Sequence, residues 1–160
     1  KRAKNIIALF VLSRVELYNN TFLESCLNLF RTNVPKYFHP TEENLFKNYL
    51  KNKGVNYYLF FDQFDRLVSA GGYEYETKLN IISLTWGMVD RRLHNHGHGA
   101  FMTDYRLKKI NTQFPAINIS LNTSQYTFRF YKKFGFQLIG IKQNGYGDGL
   151  DRYDMILYNE

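Results

Sequence analysis

A chain of 160 residues, 44% hydrophobic and 18% aromatic, can bury one core but not two, so a single domain over residues 1–160 is expected. Its 21 basic and 14 acidic residues leave a net charge of +7, which draws phosphate-bearing partners. The basic residues are scattered without a like-charged block, however, and this disfavours nucleic-acid binding. The single cysteine, Cys26, excludes a disulfide framework and a thiolate metal cluster and suits a reducing cytoplasm.

Lys1, Arg2 and Lys4 precede an apolar run, Ile6 to Leu12, that is too short to cross a bilayer. The chain continues through Arg14 and Glu16 without a small-residue cleavage pattern, so neither an export signal nor a membrane segment is expected. Residues 1–14 read as an irregular or additional leading segment. Phe22, Leu23, Cys26, Leu27, Leu29 and Phe30 recur on one helical face and predict a helix over residues 20–33. Thr41 after Pro40, with Glu42 and Glu43 in the first turn, opens a second helix carrying Leu45, Phe46, Tyr49 and Leu50.

From Asn56 the period becomes that of strands. Tyr57 to Phe61, a polar turn with Asp62 and Asp65, and Leu67 to Tyr75 read as a hairpin, and Ile81 to Val89 as a third strand. The turn His94-Asn95-His96-Gly97-His98-Gly99 then leads into a helix from about Gly99 to Gln113 and a short strand, Ala116 to Leu121. A helix over Gln125 to Phe134, a strand from Phe136, a flexible glycine-rich loop from Asn144 to Arg152 and a last strand, Asp154 to Tyr158, complete a mixed α/β (α+β) domain.

Gly97 and Gly99 let the backbone approach a bulky anion, and the helix that follows supplies free N–H donors at its start. Two spaced glycines describe a plain strand-to-helix turn equally well. A later segment, Phe130-Tyr131-Lys132-Lys133-Phe134-Gly135-Phe136, sets a tyrosine near a helix end, ahead of a glycine stop and an apolar strand. In order and separation the two segments resemble the coenzyme A pyrophosphate turn and the tyrosine-lysine-glycine-phenylalanine element of GCN5-related N-acetyltransferases (GNAT). The likeness extends from about Val15 to Tyr158.

That resemblance implies a mixed, mostly antiparallel central sheet of about six to seven strands flanked by about four helices. It implies an N-acetyltransferase that moves an acetyl group from acetyl-CoA, its cosubstrate, to a primary amine of a small molecule or peptide. By similarity the Met88 and Val89 backbone holds the pantetheine arm where strands splay. His94, Asn95, His96, Gly97, His98, Gly99 and Ala100 hold the pyrophosphate, with Ser124 close to the coenzyme and Tyr131 as general acid beside its sulfur. His94 stands where the family has arginine or glutamine, Asn95 where glycine is common, and Ser124 and Thr127 where asparagine and alanine are usual. Phosphate binding is therefore expected to rest on backbone amides, and Ser124 to act as a helix cap.

Attack of an amine on a thioester needs a base for the ammonium proton. Glu74 and Glu76, two apart on one strand face, are the candidates, with Asp90 a third just before the phosphate turn. Asp148 and Asp151 could attract a cationic amine or simply belong to a solvated glycine-rich hairpin loop, and Trp86 and Tyr73 line the same pocket or, as large aromatics on strands more often do, pack in the core. A rival reading takes the alternating His94, His96 and His98 as metal ligands, but the interleaved glycines suit phosphate better and no metal is expected. A second rival is a non-catalytic module of the same fold that senses coenzyme A or binds nucleic acid or protein. A homodimer is open on either reading.

Overall fold

A computed structural model describes residues 12–159, so the leading apolar run, apart from Leu12, lies outside the described residues. Seven strands appear among them: β1 (Leu12–Leu17), β2 (Tyr57–Asp62), β3 (Leu67–Glu76), β4 (Ile81–Val89), β5 (Ile119–Thr123), β6 (Gln137–Gly147) and β7 (Leu150–Leu157). Four α-helices accompany them: α1 (Leu23–Thr32), α2 (Glu43–Lys53), α3 (His98–Gln113) and α4 (Phe128–Lys132). The strands form one sheet in the order β1-β2-β3-β4-β5-β7-β6, antiparallel throughout except where β4 meets β5. This is the mixed, mostly antiparallel sheet with four helices that the sequence implies.

Alternation along the strands sends side chains to two cores, one on each face of the sheet. Phe30 and Leu27 of α1 and Phe46 and Leu50 of α2 pack with Tyr57, Leu59, Phe61 and Met88 on one face. Met102 and Ile110 of α3 pack with Phe60, Tyr73, Ile82, Leu84 and Leu121 on the other. The α1 stripe is the one read from the sequence, because an apolar residue at every third or fourth position has nowhere else to go. No helix among the described residues is long and apolar enough to cross a membrane.

Four boundaries differ from the sequence reading, the simplest being β5, expected over Ala116 to Leu121 and found at Ile119–Thr123. Leu12 and Arg14 belong to β1, opposite Asp62 and Phe61, rather than to an irregular leader. The helix expected over Gln125 to Phe134 is shorter, because Ser124 to Thr127 forms a turn in which the Ser124 carbonyl accepts from the N–H groups of Thr127 and Phe128. The stretch from Asn144 to Arg152 is a hairpin rather than a flexible loop. β6 runs to Gly147, β7 starts at Leu150, and the Asn144 side chain accepts from the Gly149 N–H to close the turn.

Candidate active site

Parallel strands β4 and β5 are paired only at Ile82 with Ile119 and Ser83 with Ser120. Beyond those rungs they part and leave a cleft of about 640 Å³ bounded by residues 84–89 of β4, 121–123 of β5 and Ser124 just after it. The cause is local. Between Ala70 and Gly72 of β3 one residue faces two on β4, Trp86 and Gly87, which makes a bulge that turns the strand. Trp86 has a φ of 43°, a conformation that a large side chain adopts only when its surroundings impose it. Those surroundings are visible: the Tyr57 hydroxyl donates to the Trp86 carbonyl at 2.8 Å, and the indole packs on Phe46 at 5.0 Å and Phe38 at 6.0 Å.

At the outer end of the cleft β4 gives way to the glycine turn. The Val89 carbonyl is held from two sides, by Asn33 Nδ2 at 2.9 Å and by the His94 ring nitrogen Nε2 at 2.9 Å. The Asp90 carboxylate accepts from the Arg92 N–H at 2.9 Å and from the Arg92 guanidinium, and those bonds hold it below the usual carboxylate range. Asp90 thus caps the short turn 91–93 and is committed to structure. Gly97, at φ 87°, precedes α3 in the left-handed region, and among the described residues no side chain caps the start of that 16-residue helix. With Gly97, Gly99 and Ala100 all lining the cleft, the helix presents its first N–H groups at the cleft mouth, where an anion is favoured.

The opposite wall comes from the segment between α1 and α2. Tyr37 packs edge-on to the His94 ring at 4.9 Å and to Tyr126 at 6.3 Å, while Lys36 lies over both tyrosine rings at 5.3 and 5.4 Å. Behind them Glu42, only 6% exposed, lines the cleft with one oxygen accepting from the His39 N–H at 2.7 Å. Burial pushes its carboxyl up to about 7, against the lowering effect of that backbone bond. Tyr146, facing it from β6, has its phenol pushed up by burial and by the Glu42 charge.

A strand wedge thus lies above a glycine turn and an uncapped helix start, whose free N–H groups favour an anion. Over residues 28–158 the chain matches the acetyltransferase (GNAT) domain family. The chain belongs to that family. Among curated proteins none matches in sequence. Solved GNAT structures share the fold. Ard1 from Thermoplasma volcanium is 18% identical with a TM-score of 0.75, covering 92% of this chain and 97% of that one. The ribosomal-protein-S18-alanine N-acetyltransferase from Escherichia coli is 16% identical with a TM-score of 0.72, covering 91% and 92%. An aminoglycoside 6′-N-acetyltransferase complexed with coenzyme A is 16% identical with a TM-score of 0.72, covering 91% and 97%.

Within this GNAT cleft the structure gathers most of the residues singled out from the sequence. Met88, Val89, His94, Asn95, Gly97, Gly99, Ala100, Ser124, Tyr131, Trp86, Glu74 and Glu76 all line it. Ser124 Oγ accepts from the Tyr126 N–H at 3.3 Å, so it caps the turn before α4 rather than α4 itself. Glu74 accepts from Lys53 Nζ at 2.8 Å, and Glu76 is exposed. His96 is exposed on the turn, whereas His98 is buried at the start of α3. Among the described residues no three His, Cys, Asp or Glu side chains come together as metal ligands. Asp148, Asp151 and Tyr73 do not border the cleft. Asp151 accepts from the Asn144 N–H at 2.8 Å, and the Tyr73 hydroxyl donates to Gln113.

Glu42, Tyr146 and Arg106 line the cleft and were not singled out. Glu42 carries no special signal, since an acidic residue in a first helical turn is what the helix dipole already favours. Arg106 does carry one: it falls midway along the spacing His98, Met102, Arg106, Ile110, a charge inside a buried stripe.

The GNAT cleft wall depends on one close approach. Gly147 has a φ of 150°, and a Cβ there would overlap the His39 ring, whose residue holds Glu42. Gly147→Ala is expected to destabilise the protein by about 1–3 kcal/mol and to raise the KM for the acceptor more than that for the coenzyme. Thermal denaturation and steady-state kinetics check both.

Proposed function

We propose that this chain is an N-acetyltransferase that moves the acetyl group of acetyl-CoA to a primary amine of a small molecule or peptide. The observation that carries this reading is the parting of β4 and β5 after two rungs, directly above the uncapped start of α3. The amides at that helix start would hold the pyrophosphate, and the main chain along Met88 and Val89, on the side that β5 leaves open, would bind the pantetheine arm through the Val89 N–H, its carbonyl being held by Asn33 and His94. Bound there, acetyl-CoA supplies an activated acyl carbon on a sulfur leaving group.

The remaining chemistry falls to side chains. An incoming ammonium is drawn by the carboxylates of Glu42, Glu74 and Glu76 on the acceptor side. Glu42 takes its proton: it is buried, it borders the cleft, and its carboxyl is poised near neutrality. Glu74, already paired with Lys53, and Glu76 serve to attract the cation rather than to accept the proton. The neutral amine adds to the acyl carbon. The C–S bond then breaks as Tyr131, edge-on to Phe130 and Phe136, gives its hydroxyl proton to the departing sulfur, and the extra proton on the new amide nitrogen returns to the Tyr131 oxygen through solvent.

A thiol-release screen of an amine library with acetyl-CoA tests donor, reaction and acceptor together. Stabilisation against heat by acetyl-CoA and thiol release with at least one primary amine are expected. No release with any amine would remove the reading. Because a thiolate leaves readily near neutral pH, Tyr131→Phe is expected to lower kcat only about tenfold, and unchanged turnover would remove Tyr131 as the acid.

A further inference from the structure

Arg106 lies one turn beyond Met102 and one before Ile110 on the face of α3 that packs against the sheet, and it is fully buried. Glycines opposite make room for it. A Cβ on Gly71 would lie 3.0 Å from its Cζ, and one on Gly87 would lie 2.9 Å from its Nη2. Nη1 donates to the carbonyls of Gly72 at 3.2 Å and Thr85 at 3.5 Å, while Nε and Nη2 have no hydrogen-bond partner among the described residues. None of the ion pairs among the described residues includes it.

The guanidinium thus carries its positive charge with no carboxylate among the described residues at ion-pair distance. Such a group is costly to keep unless something negative meets it. Its two free donors, Nε–H and Nη2–H, lie along one edge of the guanidinium, the edge that receives a carboxylate or an oxyanion. Arg106 lies beneath Gly87 and beside Thr85 in the floor of the cleft, at the bulge where β4 turns away from β5, with Nε and Nη2 both covered, so an anion meets them only where that thin cover gives way.

We propose that Arg106 makes the inner end of the cleft an anion subsite for the acyl end of the thioester donor. This rests on the reading of the cleft as a coenzyme A thioester site. The negative charge has two sources with one chemistry: the carbonyl oxygen as the amine adds to the acyl carbon, and the terminal carboxylate of a dicarboxylic acyl group such as succinyl. In the first the buried cation offsets charge only as the reaction proceeds, which raises kcat; in the second it selects the donor.

Equilibrium binding separates this from a structural role. The wild-type protein is titrated with S-carboxymethyl-CoA, which places a carboxylate at the acyl position, and with S-ethyl-CoA, its neutral counterpart. The carboxylate form is expected to bind at least about tenfold tighter, the preference to vanish in Arg106→Met, and part of it to return in Arg106→Lys. Equal binding of the two by the wild-type protein overturns the proposal, with no variant required. Failure of both to bind overturns the donor reading itself, which distinguishes the two failures. Turnover then identifies the source. Arg106→Met lowers turnover of acetyl-CoA and succinyl-CoA alike if the carbonyl oxygen is the anion, and of succinyl-CoA alone if the carboxylate is. If neither falls while the wild-type protein turns over, the subsite has no part in the reaction and the proposal fails.

Discussion

Glu42→Gln is expected to lower kcat/KM for acetyl transfer by about 10²–10³ while leaving the affinity for acetyl-CoA within about twofold. Glutamine keeps the shape and an oxygen for the His39 N–H, but it cannot take a proton. The pH profile gives the sharper test. The carboxyl must be ionised to act, and burial has raised it to about 7, so activity should rise with pH through about 7 in the wild type. That limb should disappear in the variant. Stability moves the other way. A carboxyl whose folded value is raised favours folding in its protonated form; that contribution is present below the unfolded value and lost as pH rises through about 7. From 4.5 to about 7 the cost of the buried charge at pH 8 is on the order of 3 kcal/mol. The glutamine variant should therefore be no less stable there, and lost turnover cannot be ascribed to unfolding. Retention of the acid limb would shift the role of base to another residue.

The second large effect is on the fold. Phe46 is fully buried, stacked on Phe30 at 5.7 Å, tilted against Tyr57 at 5.8 Å and against Trp86 at 5.0 Å. Phe46→Ala removes a full aromatic side chain from the centre of one core and is expected to cost about 3–5 kcal/mol, lowering Tm by roughly 10 °C. It also removes the support under the indole at the bulge. At temperatures where the variant is folded, acetyl-CoA affinity should fall as well, because Trp86 is then free to relax and let β4 straighten toward β5. Phe46→Leu, which restores volume without the ring, should recover most of the stability and less of the affinity. Calorimetric melts with and without acetyl-CoA read both quantities. An unchanged ligand affinity in Phe46→Ala would show that the bulge stands without the aromatic stack.

How much of this could be read in advance follows from what leaves a trace in local sequence. The helix face of Phe22 to Phe30 and the turn from His94 to Gly99 are legible because helical period and paired glycines act over a few residues. How far β6 and β7 extend into their hairpin was hidden, since Asn144, Gly145, Gly147 and Gly149 have the composition of a loop. That hairpin is held instead by contacts of the Asn144 and Asp151 side chains with main-chain N–H groups. Glu42 looks like a helix-starting acid, and only the packing of the segment around Tyr37 and Phe38 reveals that it is buried. The parting of β4 and β5 has no signature in either strand alone, since it arises where Trp86 and Gly87 face a single residue of a neighbour.

That parting has a consequence for how such proteins change. A ligand received as though it were an extra strand is recognised by peptide groups, which every residue carries, so substitutions along both strands leave recognition intact as long as the strands diverge. Chains only 16–18% identical can accordingly keep one architecture, as this one does with Ard1 and the two N-acetyltransferases beside it.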